Sequence, residues 1–534
     1  MTQQDGRRYV QHPLVRPDTV EYREYQVNIA RSAYGRNTLV VLPTALGKTV
    51  IAALVAAEVL YRYRRSRVLV MAPTRPLVVQ HARSFRSMLR LGEEQFAVLT
   101  GKVPPEGRTA IWRGGARVLF STPEVVRNDA AEGRLDLGSF SLLVFDEAHR
   151  AVKDYAYTEI ARAYVARAEY PMILAMTASP GADPERIREV CRNLYIEALE
   201  YRSEYDPDVR PYVHPVEVAW RKVRLPPIYG EASSLIRSML GRRVERLRAL
   251  GFDLDPRRVT RRELIELGDE LRSELEAAPR EGRGRIFEAL RNQSAAVARL
   301  HMLELVEAQG MHALRAFLER MEGKRTYSAL AGEAEFPALM ELARSADVEH
   351  PKLLELKEVV SEQLSSNPSS RILVFTQYRD TVAHIAEELA KIPGARVGTF
   401  VGQASRGGVR GMSQEEQIRA LEALERGEIN VLVSTSIAEE GLDVPSVEHV
   451  VFYEPIPSEI RYIQRRGRTG RRAPGKVTIL AAEGTLDEAY LYASLARARK
   501  MRRIVDAGRA ELRPMLRAGP PPEGPLREEG REGA

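Results

Sequence analysis

Cysteine is almost missing from these 534 residues: Cys191 stands alone. No internal disulfide can form, and there is no cysteine cluster to hold an iron–sulfur centre. Also absent is any run of about 20 apolar residues, so nothing reads as a membrane span. The opening stretch "MTQQDGRRYVQHPLV" has no apolar signal core. That argues against export and, with the lone thiol, for a reducing interior. Short-period repeats are lacking too. What is there is ordinary for a globular protein, with 44% hydrophobic and 29% charged residues. The length exceeds what one core supports and predicts two or three domains.

The formal net charge is +7 and the isoelectric point about 9.3, which weakly favours a polyanionic partner. Residues 221–330 carry 22 basic and 16 acidic side chains, nearly the whole excess, and almost all the cations are arginine. A solvated helical face with mixed charges has the same composition, so charge by itself leaves both readings open.

From residue 37 to about 180, short apolar runs recur: "TLVVL", "RVLVMAP", "RVLFSTP", "SLLVFDE" and "MILAMTA". Each runs into Pro, Thr, Ser, Asp or Glu, and segments of helical spacing such as "TVIAALVAAEVLYRY" separate them. Buried strands alternating with helices predict a parallel sheet covered on both faces, with ligands at the carboxyl ends of the strands. The pattern changes near residue 200. In "EASSLIRSMLGRRVERLRALG", Leu235, Ile236, Met239, Leu240, Val244, Leu247 and Leu250 fall on one helical stripe, and "AAVARLHMLELVEAQGMHALRAFLERM" repeats the pattern. Strand–helix alternation returns in "RILVFTQ", "INVLVSTS", "HVVFYEP" and "KVTILAA". The expected architecture is α/β: a first α/β domain over 1–200, a helical insertion over 201–345 and a second α/β domain over 346–510. The tail 511–534, rich in Pro, Gly and charge, is expected to be disordered.

"LPTALGKT" (42–49) follows the first strand run and matches a phosphate-binding loop whose first glycine is replaced by Leu42. Gly47 lets the backbone approach phosphate oxygens, Lys48 reaches the β/γ-phosphates and the Thr49 hydroxyl ligates Mg²⁺. A helix starting at Thr49 would point its positive end at the anion. A helix-opening turn is the plain alternative for Gly-Lys-Thr alone. "LLVFDEAH" then puts Asp146 and Glu147 just past a strand, suited to a Mg²⁺ shell and to activating water. "QRRGRTGR" (464–471) puts Arg468 and Arg471 three apart, on one face of a helix, as cations for the γ-phosphate charge.

In this order the pieces resemble the superfamily 2 helicases. "YREYQ" looks like the adenine-reading motif, with Gln26 and Arg23 at the base. "LPTALGKT" corresponds to motif I, "APTRPL" to Ia, "STPE" to Ib, "DEAH" to II and "TASPG" to III. "VFTQ" resembles motif IV, "STSIAEEGLDVP" V and "QRRGRTGR" VI. The segments "GQASR", "GMSQEEQ", "EEGLDVP" and "VVFYEPIPSEIRYIQRRGRTGR", together with the insertion, are similar to the archaeal Hef and eukaryotic FANCM branch. That resemblance implies two RecA-like domains closing around ATP and Mg²⁺. Thr44, Gly47, Lys48, Thr49, Gly441 and Asp443 would hold the nucleotide, and Thr49 and Asp146 the metal. Lys48, Asp146, Glu147, Gln464, Arg468 and Arg471 would carry hydrolysis, while Thr177, Ser179 and His149 link the nucleotide to the domain interface.

The same resemblance implies an ATP-driven motor on branched DNA such as stalled forks and Holliday junctions, in repair and fork restart. Thr74, Arg75, Thr122, Gln377, Thr435 and Ser436 would grip the strand by its backbone and read no sequence. Arg242 and Arg243, with Arg257 and Arg258, would hold a duplex arm or else pair with nearby glutamates. The chain ends too early for the nuclease domain that Hef proteins often carry. A separate structure-specific nuclease or a sliding clamp is a candidate partner, and the expected place is cytoplasmic, nucleoid-associated, in an archaeal cell. Three alternatives stay open: a duplex-RNA-stimulated ATPase of the Dicer or RNA-sensor type, a scaffold with a decayed motor, and an excision-repair helicase without an iron–sulfur centre.

Overall fold

Continuous apolar runs bounded by turn residues form two separate parallel sheets. The computed structural model describes residues 3–4, 7–44, 46–179, 183–213, 216–256, 258–277, 283–323, 325–345, 348–402, 411–435, 445–455, 475–493, 496 and 500. A short antiparallel pair, β1 (Gln3–Gln4) and β2 (Arg7–Arg8), opens the chain.

The first sheet has seven strands: β3 (Thr38–Val41), β4 (Val68–Met71), β5 (Phe96–Leu99), β6 (Val118–Ser121), β7 (Leu142–Phe145), β8 (Ile173–Thr177) and β9 (Ala198–Tyr201). Their spatial order is β5-β6-β4-β7-β8-β3-β9, and every pairing is parallel. Alternate strand residues face opposite helix layers. Val40, Val70, Phe120 and Val144 pack under α1 (Glu24–Ala33), α2 (Lys48–Arg62) and α3 (Arg75–Met88). Leu39, Leu69, Leu143 and Ile173 pack under α4 (Pro105–Arg113), α5 (Pro123–Ala131), α6 (Ala156–Arg167) and α7 (Pro184–Asn193).

The chain then contributes β10 (Val216–Val223) to the other sheet before the helical segment begins. Residues 216–223 were expected in the helical insertion; they form instead an edge strand beside β15 (Gly475–Ala482). In "VEVAWRKV" Glu217, Arg221 and Lys222 interrupt the apolar residues and only Val223 is buried, which suits a strand at a sheet edge. Six helices follow: α8 (Pro227–Ala249), α9 (Arg261–Ala277), α10 (Arg283–Glu304), α11 (Met311–Met321), α12 (Arg325–Ala331) and α13 (Phe336–Ser345). Ile236, Met239, Leu240, Val244 and Leu247 of α8 meet Leu264, Leu271, Leu300 and Leu314 in their core.

The stripe in 295–321, read as uninterrupted, is broken. After α10 comes one π turn (Leu305–Gln309), then Gly310 at φ 101°, where α11 starts in a new direction. The π turn docks the bundle on the second sheet's domain. The Gln309 amide and the Thr376 hydroxyl both donate to Glu454 Oε2 at 3.1 Å. Leu486 N–H donates to Glu307 at 2.9 Å, and the Tyr490 hydroxyl to Glu304 at 3.0 Å.

The second sheet runs β10-β15-β14-β11-β13-β12, again all parallel, with β11 (Ile372–Phe375), β12 (Val397–Phe400), β13 (Val431–Ser434) and β14 (His449–Phe452). α14 (Pro351–Ser366), α15 (Arg379–Leu389) and α16 (Gln414–Arg426) accompany it. The architecture is the expected one: two parallel-sheet RecA-like domains with a helical region between them in sequence. Among the described residues, no helix is long and apolar enough to cross a membrane.

Candidate nucleotide site

Four loops converge at the carboxyl ends of the adjacent strands β4, β7, β8 and β3. The loop after β3 leads into α2, which opens at Lys48, one residue before the expected start. Gly47 at φ 80° and ψ 42° precedes it, and no side chain caps the helix there. A Cβ at Gly47 would lie 2.3 Å from the Gln26 amide nitrogen, so a side chain there is opposed by both conformation and space. Gln26 is buried and donates to the Leu46 carbonyl at 3.0 Å; the Tyr25 hydroxyl donates to the same oxygen at 2.8 Å. Both thus brace the loop from α1. Arg23 pairs with Glu21 at 2.8 Å and lies over the Tyr212 ring at 5.4 Å. Within the loop, Lys48 Nζ donates to the Leu42 carbonyl at 3.1 Å, while Thr44 and Thr49 are half-buried beside it.

Past β7, Asp146 is buried, and its Oδ2 stands 2.8 Å from His81 Nε2 of α3. The Tyr157 hydroxyl donates to the Asp146 carbonyl at 2.8 Å. Burial by itself would raise the Asp146 carboxyl, but His81 and then Lys48 hold it below the usual carboxylate range. Glu147 adopts the left-handed region, φ 50°, unusual for a residue with a Cβ and common at functional turns. Its Oε2 is buried without a hydrogen bond, 3.3 Å from His149 Nδ1. His149 Nδ1 is also 3.0 Å from Thr177 Oγ1, and the Thr177 hydroxyl donates to the Ser179 carbonyl at 2.9 Å. With that single hydroxyl proton committed, His149 Nδ1 is the donor to Thr177. Thr177, Ser179 and His149 therefore form one connected unit across the β7 and β8 loops.

The chemistry of this donor set fits a magnesium nucleotide. It offers uncapped amides at the start of α2, a lysine, a hydroxyl at Thr49 and an ionised carboxylate at Asp146.

Thr74 and Thr122 are the N-cap residues of α3 and α5, past the paired strands β4 and β6, yet neither side chain makes the capping hydrogen bond. Arg75 follows, half-buried. In the second sheet, Gln377 and Thr435 stand past the paired strands β11 and β13. Gln377 is exposed, and the buried Thr435 hydroxyl has no hydrogen-bond partner among the described residues.

Arg242 and Arg243 are placed differently from free phosphate-binding cations. Arg243 pairs with Glu333 at 2.7 Å, and Arg242 with Glu333 at 3.2 Å and with Glu335. Both side chains are partly exposed, and their glutamate partners come from a distant stretch of the bundle, not from the same helix. Gln464, Arg468, Arg471, Gly441, Asp443, Ser436 and Arg257 lie outside the described residues.

Sequence reasoning missed His81, Tyr25 and Tyr157. A signal for His81 was present: it falls on the buried stripe Val78, Ala82, Phe85 and Met88 of α3, where a polar side chain calls for a partner.

Family models match three stretches of the chain. "DEAD/DEAH box helicase" covers residues 23–187 and "Helicase conserved C-terminal domain" covers 352–473. "Putative ATP-dependent RNA helicase, helical bundle" covers 228–334. The crystal structure of the Pyrococcus furiosus Hef helicase domain is 43% identical, with a TM-score of 0.68, covering 90% of this chain and 100% of that one. The chain belongs to the Hef/FANCM branch of the superfamily 2 helicases. That family consists of ATP-driven motor enzymes. "Putative ATP-dependent RNA helicase MJ1505" of Methanocaldococcus jannaschii is 40% identical over 93% of this chain and 62% of its own. The mouse "Fanconi anemia group M protein homolog" is 33% identical over 89% of this chain and 25% of its own. "ATP-dependent DNA helicase MPH1" of Pyricularia oryzae is 32% identical over 88% and 44%. This helicase chain therefore spans from a quarter to 62% of the length of those curated relatives.

Proposed function

We propose that this chain is an ATP-dependent DNA translocase that remodels branched DNA, stalled forks and Holliday junctions, in repair and fork restart. The observation that carries the reading is the pairing of two sets of groups on one sheet edge. Lys48, Thr49, Asp146 and Glu147 form the nucleotide set, and Thr74 and Thr122, at the N-termini of α3 and α5, form the strand-gripping set. Thr49 and Asp146 would hold Mg²⁺, which would offset the phosphate charge, while Lys48 neutralises the β/γ-phosphates and Glu147 orients and deprotonates the attacking water. The second domain brings Arg468 and Arg471 to the γ-phosphate when the cleft closes, with Gln464 beside them and Asp443 and Gly441 at the ribose side. ATP contacts both domains and so favours closure; hydrolysis removes the bridge. Thr74, Arg75, Thr122, Gln377, Thr435 and Ser436 hold the backbone, and the arginine-rich bundle, with the partly exposed Arg242 and Arg243, holds a duplex arm. DNA as the polymer is supported by the relative named a DNA helicase. The reading extends to a nucleoid location and to a separate nuclease or sliding clamp as partner.

A second reading, a duplex-RNA-stimulated ATPase, is favoured by the printed names of MJ1505 and of the helical-bundle family. ATP turnover measured with fork, Holliday junction, plain duplex DNA and duplex RNA separates the two. The first reading expects the strongest stimulation from the branched DNAs; stimulation by RNA alone would overturn it.

A further inference from the structure

We propose that His81 is a positioning residue for the metal-binding carboxylate and that, through α3, it links a gripped strand to the hydrolytic site. The inference rests on the reading above, in which Asp146 holds Mg²⁺ and Thr74 and Arg75 touch the strand. His81 is 4% exposed and Asp146 5%, and His81 Nε2 lies 2.8 Å from Asp146 Oδ2. An ionised carboxylate only accepts, so Nε2 carries the proton and donates. The His81 Nδ1 is buried with no hydrogen-bond partner among the described residues. The bond to Asp146 is thus the one polar restraint on this ring among the described residues, and the packing around Val78 and Phe85 does the rest. The Glu147 backbone N–H also donates to the Asp146 carboxylate, so the group is held from two sides in the pose a cation would meet. Partners that orient a ligating group in this way commonly set metal affinity.

The helix supplies the second half of the argument. Thr74 is its N-cap and Arg75 its first residue. His81 follows six positions after Arg75, a rise of about 9 Å along the axis. A helix of 14 residues packed along Val78, Ala82, Phe85 and Met88 moves as a rod. A displacement of its N-terminus by a bound phosphate therefore reaches the Asp146 hydrogen bond directly. Neither the phosphate loop nor the second domain is needed for that transmission.

The test uses the full chain with His81→Leu, which keeps bulk without an N–H, and His81→Gln, whose amide reaches the Nε2 position. The primary readout is the Mg²⁺ concentration needed to half-saturate binding of a fluorescent, non-hydrolysable ATP analogue. His81→Leu is expected to raise it about 10-fold or more, and His81→Gln to restore it to within about three-fold of the parent. Fork affinity should stay within about two-fold, because the strand contacts are untouched. At saturating Mg²⁺, the stimulation of ATP turnover by fork DNA should fall in His81→Leu and recover in His81→Gln. An unchanged Mg²⁺ requirement in His81→Leu would overturn the positioning role, and full fork stimulation would overturn the link through α3. If His81→Leu does not fold, His81→Asn, whose amide falls short of Asp146, must show the same shift. Asp146→Asn separates the failures. A normal Mg²⁺ requirement there overturns the metal reading and this proposal together; a raised one, beside an unmoved His81→Leu, overturns this proposal alone.

Discussion

At the level of single residues, the nucleotide loop shows how few groups carry the chemistry. Lys48→Ala removes the ammonium beside the phosphates and is expected to abolish ATP turnover while the far-ultraviolet dichroism stays that of the parent. Glu147→Gln keeps shape and nucleotide binding but loses the base. Turnover should fall by about 10²–10⁴, with fork binding retained in a gel-shift assay. His350 gives a pH signature. It caps α14 through Nδ1, which accepts from Lys352 N–H at 3.2 Å, and its Nε2 meets the Glu307 carbonyl at 3.1 Å. Burial first and then the Lys352 ammonium push its imidazole down from 6.5 to about 3, with the Glu307 carbonyl opposing and the Tyr229 ring alongside. A depressed folded value means that stability is full above the unfolded value and is lost as pH falls from about 6.5 toward 3. Denaturant melts of His350→Asn, which can still cap, should be flatter than the parent across that window. Some slope will stay, because burial also pushes His449 down to about 4.

At the level of elements, the helical bundle is pinned by a buried charge cluster rather than by apolar contact alone. Glu333 is nearly buried and takes Arg299, itself buried, together with Arg243 and Arg242. Burial would raise the Glu333 carboxyl, but Arg243 and Arg299 hold it low. Glu333→Ala would leave the Arg299 guanidinium buried without a counter-ion. The expected cost is about 3–5 kcal/mol, read as a lower urea midpoint for the bundle. Arg242→Ala, removing a half-exposed partner, should cost far less.

Legibility also divides by element. The runs "TLVVL", "RVLVMAP", "RVLFSTP", "SLLVFDE" and "MILAMTA" became β3, β4, β6, β7 and β8, and the four later runs became β11, β13, β14 and β15. Within the two large sheets the four unmarked strands, β5, β9, β10 and β12, are the edges. An edge strand is covered on fewer sides, so it has no need of a continuous apolar run and leaves a weaker trace.

Over the whole molecule, the chain passes from the first sheet to the edge of the second before it builds the bundle, and Gln309 of the π turn donates to Glu454, which also accepts from Thr376. The bundle is thereby tied to the second domain, and a duplex arm held by it would move with that domain on each ATP cycle. Arginine supply from the second domain is the other expectation at this scale. Arg468→Ala is expected to lower fork-stimulated turnover by about 10³ or more, measured at saturating ATP so that a binding defect does not enter; near-normal turnover would make Arg468 structural.

Central strands, the phosphate loop at Lys48, the Asp146–Glu147 pair and the two-sheet architecture were set by local sequence, because each depends on a short run whose neighbours in the chain are its neighbours in space. The partners of those residues were decided only by folding. His81 meets Asp146, Glu333 gathers Arg242, Arg243 and Arg299, and Gln309 reaches Glu454 across separations of 65 to 145 positions for the first and last of these pairs. A hydrogen bond or ion pair between distant segments leaves no periodicity in either one, so only the packed chain can assign it.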